Sequence, residues 1–306
     1  MKGIRRFGHM SYHEVIRCSH RSSHKVIRVL PGRMLMNRIS RFFVMLFFAL
    51  AIFIIIPERA NAAGASITDN GDGTIHFKFN NRYDARVKLL VQQSGGKMYQ
   101  YNISKGSVSV DVPLCQGDGT YKIVLAKNIS GTRYSVFQTV SINTDFSEHD
   151  SYLSSNIILD WEKTNKAIKK AESLTKGKKT DKEKFDAIYN YIVKNYQYDF
   201  DKLSILDSLS KSSSYIPDID IIYSKRKGIC YDISILMASM LRSVGIPTKV
   251  ITGYTSNVNG YHAWNSVYIA EWKIVDVTYD LQMYSANRRY TVYKKEKDYS
   301  EIVYTY

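Results

Sequence analysis

Residues 226–254 read RKGICYDISILMASMLRSVGIPTKVITGY. Within them Ile233, Leu236, Met237, Met240, Leu241 and Val244 recur at i, i+3, i+4, i+7, i+8 and i+11, the period of a helix with an apolar stripe. Gly245 supplies a stop, and Pro247 lies just beyond it. The methionines of this stripe are read as core. Gly228 precedes the helix and Cys230 stands at or near its first turn. Three strand-like runs follow, Thr248 to Tyr254, Tyr261 to Ile269 and Trp272 to Tyr279. A helix followed by antiparallel strands is the pattern of an α+β domain.

Upstream, Phe185, Ile188, Tyr189, Ile192 and Tyr196 form one face of a helix that Thr180 or Asp181 can cap. Trp161, Ile168, Ala171 and Leu174 predict another helix before it, ended by the polar stretch 176–180, which reads as a solvated loop. Between Ser66 and Asn143 the pattern is different. Short runs at Thr74 to Phe79, Arg86 to Gln92, Lys97 to Ile103, Val108 to Val112, Thr120 to Ala126 and Tyr134 to Ile142 are separated by Gly- and Asp-rich turns. Six or seven short strands at this spacing predict a small Ig-like β-sandwich. The turn at 69–73 lacks the ligand spacing of an EF-hand loop and reads as a hairpin turn.

The chain has 306 residues and a formal charge of +15, and the position of that charge decides its meaning. Residues 1–62 carry +9 and the remainder +6, so a dedicated nucleic-acid domain is disfavoured. Residues 42–56, FFVMLFFALAIFIII, follow Arg38 and Arg41 and precede Ala60-Asn61-Ala62. That is the order of a signal peptide with cleavage after Ala62, although an uncleaved anchor stays open. The basic residues 1–35 do not fit a secretory leader, so the true start is expected at Met36 or Met34. The protein is therefore expected to be secreted or in the cell envelope, on the extracytoplasmic side, touching membrane only through its leader.

Beyond the leader two cysteines remain, Cys115 and Cys230, too few for a disulfide framework. Cys115 reads as a small half-buried residue. Cys230 is different, because a thiol attacks a carbonyl only as thiolate, and a helix N-terminus stabilises that charge and offers N–H groups to an oxyanion. Lys225, Arg226 and Lys227 would add positive potential. Gly228 would allow a sharp turn and leave room for substrate. His76, His149 and His262 are the histidines left after the leader, and His262 alone lies in the domain of Cys230. Asp276 sits among apolar residues of the last strand-like run, where a carboxylate needs a partner; His262 would serve.

In these residues the sequence resembles the transglutaminase-like superfamily, whose cysteine, histidine and aspartate lie on a helix N-terminus and two adjacent strands. The matching stretches are residues 226–254, YHAWNSVYI at 261–269 and WKIVDVTYD at 272–280, with DAIYNYIVKNYQYD at 186–199 as the helix leading in. The resemblance implies Cys230 as nucleophile, His262 as base and acid, and Asp276 as orienting acid. It also implies a papain-like or transglutaminase-like core, a helix packed on an antiparallel sheet. Members of the family usually have Gly in the turn between the His and Asp strands, whereas Ala270-Glu271 stands here. A strict two-residue hairpin would pair Asn265 with Asp276 and point His262 to the opposite face, so a triad requires a three-residue turn or a bulge.

The expected organisation is a leader over 1–62, a β-sandwich over 63–145, a helical connector over 146–180 and a transglutaminase-like domain over 181–306. The expected chemistry is attack of Cys230 on a carboxamide to give a thioester, resolved by an amine in acyl transfer or by water in a deamidase or peptidase. A catalytically silent envelope-binding module is the reading from another class. No cofactor or metal site, calcium included, can be read. The expected partner is a protein or peptide substrate, with association to cell wall left open.

Overall fold

The computed structural model describes residues 64–208 and 215–306, so the expectations on the leader, its cleavage site and the start codon lie outside the described residues. Seven strands come first: β1 (Ser66–Asp69), β2 (Thr74–Asn81), β3 (Val87–Gln93), β4 (Met98–Ile103), β5 (Gly106–Pro113), β6 (Gly119–Ser130) and β7 (Arg133–Thr144). They form two antiparallel sheets, in the orders β1-β2-β5 and β4-β3-β6-β7. The alternation that marked these runs is their burial pattern. Ile75, Phe77 and Phe79 of β2, Val87, Leu89 and Val91 of β3, and Tyr121, Ile123 and Leu125 of β6 face one shared core. The acidic turn before β2 uses its carboxylates internally: Asp69 accepts from the Gly71 N–H at 2.9 Å and Asp72 from the Thr74 N–H at 3.1 Å.

Residues 146–165 are mostly irregular, apart from one 3-10 turn at Asp150–Tyr152. Then come α1 (Lys166–Thr175), α2 (Asp181–Asn195), β8 (Gln197–Tyr198), α3 (Phe200–Ser208), α4 (Ile219–Lys225), β9 (Lys227–Gly228) and α5 (Cys230–Arg242). Trp161, expected in the first of these helices, lies before it. Thr180 caps α2 through a capping box: its hydroxyl accepts from the Glu183 N–H, and the Glu183 carboxylate accepts from the Thr180 N–H. The chain closes with β10 (Thr248–Thr255), β11 (Val258–Ile269), β12 (Glu271–Val275), α6 (Val277–Ser285) and β13 (Glu301–Thr305). The strands form one antiparallel sheet in the order β12-β11-β10-β13. The whole is a mixed α/β protein with antiparallel sheets. No helix among the described residues is long and apolar enough to cross a membrane.

Two expectations need correction. The helix read as having one apolar stripe, α5, buries all thirteen of its residues, because sheet strands β10 and β11 cover one side and α1, α2, α4 and α6 the others. The third strand-like run ends at Val275, and Val277 onward is helical, since Asp276 caps α6 by accepting from the Tyr279 N–H at 2.9 Å.

The turn between β11 and β12 is the one on which the site geometry depends. Tyr268 pairs with Trp272, enclosing Ile269, Ala270 and Glu271, and Ala270 takes the left-handed conformation at φ 61°. The three-residue turn shifts the register by one from a strict two-residue hairpin, and Asn265 now faces Val275. Ala270 stands in a backbone region that favours glycine by about 1 kcal/mol. Ala270→Gly is therefore expected to leave the unfolding free energy unchanged or raise it by up to about 1 kcal/mol, measured by denaturant titration.

Candidate active site

Cys230 is the first residue of α5, and Ile229 before it has extended backbone. Its sulfur thus lies where the helix presents N–H groups without intrahelical acceptors. Gly228 is needed here for closeness: a Cβ at this position would come within 2.8 Å of the Asp232 Cβ and 3.2 Å of its Oδ2. Its φ is not positive, so the expected sharp glycine turn is replaced by a packing requirement.

His262 lies on β11 opposite Gly253 of β10, with its ring 6.3 Å from that of Trp264 two residues along on the same face. The register set by the three-residue turn brings Asp276 to that face too. His262 Nε2 is 2.8 Å from Asp276 Oδ2, and the Cys230 side chain is near enough to the imidazole to favour its charged form. With Nε2 donating to the carboxylate, Nδ1 is the ring atom left for sulfur. Cys230 and His262 are each 3% exposed and Asp276 is fully buried. Sequence-expected residues from α5, β11 and the cap of α6 therefore come together in one buried group, with His262 and Asp276 hydrogen-bonded in it. His76 is engaged by Asp111 and Ser109 in the N-terminal sheets, and His149 packs on Tyr268.

The electrostatics follow from this pairing. Burial works against a charged imidazole at His262, but the Asp276 charge and hydrogen bond, joined by the Cys230 contact, outweigh it and raise His262 to about 10. Burial likewise opposes the Asp276 carboxylate, and the His262 charge, the Tyr279 N–H and the Tyr299 hydroxyl hold it below its ordinary value. At neutral pH the chain is thus arranged as imidazolium and carboxylate, with the imidazolium beside the sulfur. Cys115, expected to be half-buried, is instead buried at 7% exposed, and burial pushes its thiol up to about 12. Both cysteines are free thiols.

Sequence reasoning missed four neighbours of the chain. Tyr299 donates to Asp276 Oδ2 at 2.8 Å, from a segment with no motif. Asp232, three residues after the helix cap, accepts from the Ile229 N–H at 3.0 Å, and an acid at that position is a legible capping signal. Lys202 and Tyr215 both bond to Asp232. Two of the three cations expected to add positive potential at the thiol are engaged elsewhere. Lys227 pairs with Asp199 and Asp201, and the Arg226 guanidinium lies 4.2 Å from the Tyr223 ring centre and bonds to Tyr196. An open pocket of about 430 Å³ lies on the Asp276 side, lined by Asn257, Tyr279, Arg289, Tyr290, Lys294 and Asp298 among others, and neither Cys230 nor His262 lines it. Among the described residues no cluster of His, Cys, Asp and Glu is arranged as metal ligands.

The chain can be compared with known proteins at the level of curated sequences, solved structures and family models. No curated protein matches the chain. Among solved structures, a candidate cysteine protease from Cytophaga hutchinsonii is 17% identical over 67% of this chain and 72% of its own, with a TM-score of 0.36. A structure named as a TGase is 20% identical over 43% of this chain and 34% of its own, with a TM-score of 0.29. A candidate protease from Parabacteroides distasonis is 12% identical over 70% and 69%, with a TM-score of 0.28. Similarities of this size transfer no activity. The match to a family is more direct: residues 168–277, from α1 through the start of α6, fit the model of the transglutaminase-like superfamily. The match to the transglutaminase-like superfamily is thus one of residues 168–277, the segment that holds Cys230, His262 and Asp276.

Proposed function

We propose that this protein is an extracytoplasmic thiol enzyme that acts on carboxamides through a thioester at Cys230. The observation that carries the reading is the buried chain from the Cys230 thiol through His262 to Asp276, set at the N-terminus of α5. In the proposed reaction the Cys230 thiolate attacks the carbonyl carbon, and N–H groups of the first turn receive the oxyanion. The C–N bond then breaks, and the leaving ammonia or amine takes its proton from the His262 imidazolium. Asp276 keeps the ring oriented and its charge compensated. A second nucleophile, deprotonated by His262, resolves the thioester. An amine makes the reaction acyl transfer, which the superfamily name favours; water makes it deamidation or peptide hydrolysis.

The expected partner is a protein or peptide, with secretion through the leader and attachment to cell wall as parts of the same proposal. The N-terminal sheets are proposed to be an Ig-like sandwich, supported by the order β1-β2-β5 facing β4-β3-β6-β7. The division at residues 145 and 180 is proposed with it.

Iodoacetamide labelling at neutral pH is expected to be fast at Cys230, slow at Cys115, and strongly reduced at Cys230 in His262→Ala. Equal, slow labelling of both thiols would favour the silent binding module. With an active thiol, incorporation of a fluorescent amine into a Gln-containing protein, compared with ammonia release, separates transferase from hydrolase.

A further inference from the structure

Asp232 lies two residues beyond Cys230 on α5 and is fully buried. Its Oδ2 accepts from the Ile229 N–H at 3.0 Å and from Lys202 Nζ at 2.5 Å, and its Oδ1 accepts from the Tyr215 hydroxyl at 2.5 Å. Lys202 also donates to the Tyr215 oxygen at 2.5 Å, closing a triangle. A carboxylate in a first turn suits the helix dipole. It also brings a negative charge close to a sulfur that must itself become negative, and like charges oppose one another. Residues at i and i+2 of a helix do not face each other, so Asp232 acts on the sulfur through space rather than by contact.

The charged and titratable groups around the sulfur can be taken element by element. β11 contributes His262, backed by Asp276 at the cap of α6. α5 contributes Asp232. α3 contributes Lys202, and Tyr215 comes from the segment before α4. Lys227 and Arg226 are held by their own partners. Lys202 is therefore the cation that pairs the charge on the catalytic helix.

We propose that Lys202 and Asp232 are positioning residues of the thiol site, Lys202 compensating a buried carboxylate that would otherwise oppose thiolate formation at Cys230. The proposal rests on the reading of Cys230 as nucleophile, but its test follows the sulfur itself. The titration of Cys230 is read from thiolate absorbance, as the difference between each protein and its Cys230→Ala counterpart, and from the pH dependence of iodoacetamide alkylation. Lys202→Met is expected to move the midpoint up by about one pH unit, with roughly tenfold slower alkylation at pH values below the wild-type midpoint. Asp232→Asn should move it down, and the double variant should lie near wild type. Lys202→Arg should restore most of the Lys202→Met loss.

A purely structural role predicts lower thermal stability without opposite shifts. Any pattern other than opposite shifts in folded single variants overturns the proposal; if Lys202→Met does not fold, Lys202→Gln takes its place in the comparison. Failure of the thiol-enzyme reading would appear separately, as slow wild-type labelling that does not depend on His262.

Discussion

In the proposed reaction, Asp276→Asn is expected to lower the rate of acylation at Cys230 by on the order of 10³- to 10⁴-fold, by analogy with the loss of the orienting carboxylate from a Ser-His-Asp triad. The geometry gives the reason. Asp276 Oδ1 caps α6 through the Tyr279 N–H, while Oδ2 accepts from both His262 Nε2 and the Tyr299 hydroxyl. An Asn side chain has one oxygen for these two positions. If that oxygen keeps the cap, its NH₂ faces Nε2 and forces the ring into the tautomer that carries hydrogen on Nδ1, which cannot take a proton from sulfur. Single-turnover acylation, monitored as release of the first product, measures the loss.

The same substitution has a signed effect on stability against pH. In the wild type His262 is raised from 6.5 to about 10, so its contribution is fully present below pH 6.5 and is lost as pH rises through about 10. In Asp276→Asn the carboxylate that does most to raise it is gone, and burial, the largest single influence, then opposes the smaller effect of Cys230 and pulls the ring down. The stability advantage of wild type over the variant should therefore shrink between about pH 6.5 and 10, as read by denaturant titration across that window. An advantage that grew over the same range would contradict the assignment of His262 as the charged partner.

Arg242→Met is expected to reduce the unfolding free energy by about 3 kcal/mol or more. Arg242 is 2% exposed at the end of α5. Its Nε donates to the Thr248 carbonyl at 2.9 Å, one Nη to the Ser154 carbonyl at 2.9 Å and the other to the Tyr306 carbonyl at 3.1 Å. These acceptors belong to the start of β10, the stretch after the N-terminal sheets, and the residue following β13. One side chain thus ties the central helix, the sheet and the connector together. Burial pulls its guanidinium down to about 10, so it stays charged at neutral pH. Met fills similar volume but donates nothing. The Tyr306 carbonyl keeps the Val250 N–H, whereas the Ser154 and Thr248 carbonyls lose their Arg donor. Chemical denaturation measures the change, and Arg242→Lys, with one charged head in place of a planar fork, should recover only part of it.

The strands and helices with the clearest periodicity were readable because period and burial coincide. Ile75, Phe77 and Phe79 alternate in sequence and all face the core, and Phe185, Ile188 and Ile192 are the buried face of α2. The short pieces α3, α4, β8 and β9 escaped because two to nine residues give too few repeats for a period to show. The first turn of α6, Val277 to Tyr279, reads as strand in the sequence because Val275, Val277 and Tyr279 alternate around Asp276. What overrides that alternation is the cap bond from Asp276 to the Tyr279 N–H.

For the site, the sequence by itself determined which residue types were available and in what order: Cys230 at the start of a periodic helix, His262 as the histidine in the same region, and Asp276 among apolar neighbours. Local pattern suffices for that, because helix starts and buried carboxylates have local signatures. Only the tertiary structure decided that the three meet. The meeting depends on the left-handed Ala270 and its three-residue turn, since a one-residue change of register would have sent His262 and Asp276 to opposite faces. It likewise decided that Lys227 and Arg226, close in sequence to Cys230, are held by Asp199, Asp201 and a tyrosine cluster, while Lys202 pairs the Asp232 charge on the helix that bears the thiol. Charge acts through distance in space, and that distance is set by packing between elements far apart in the chain.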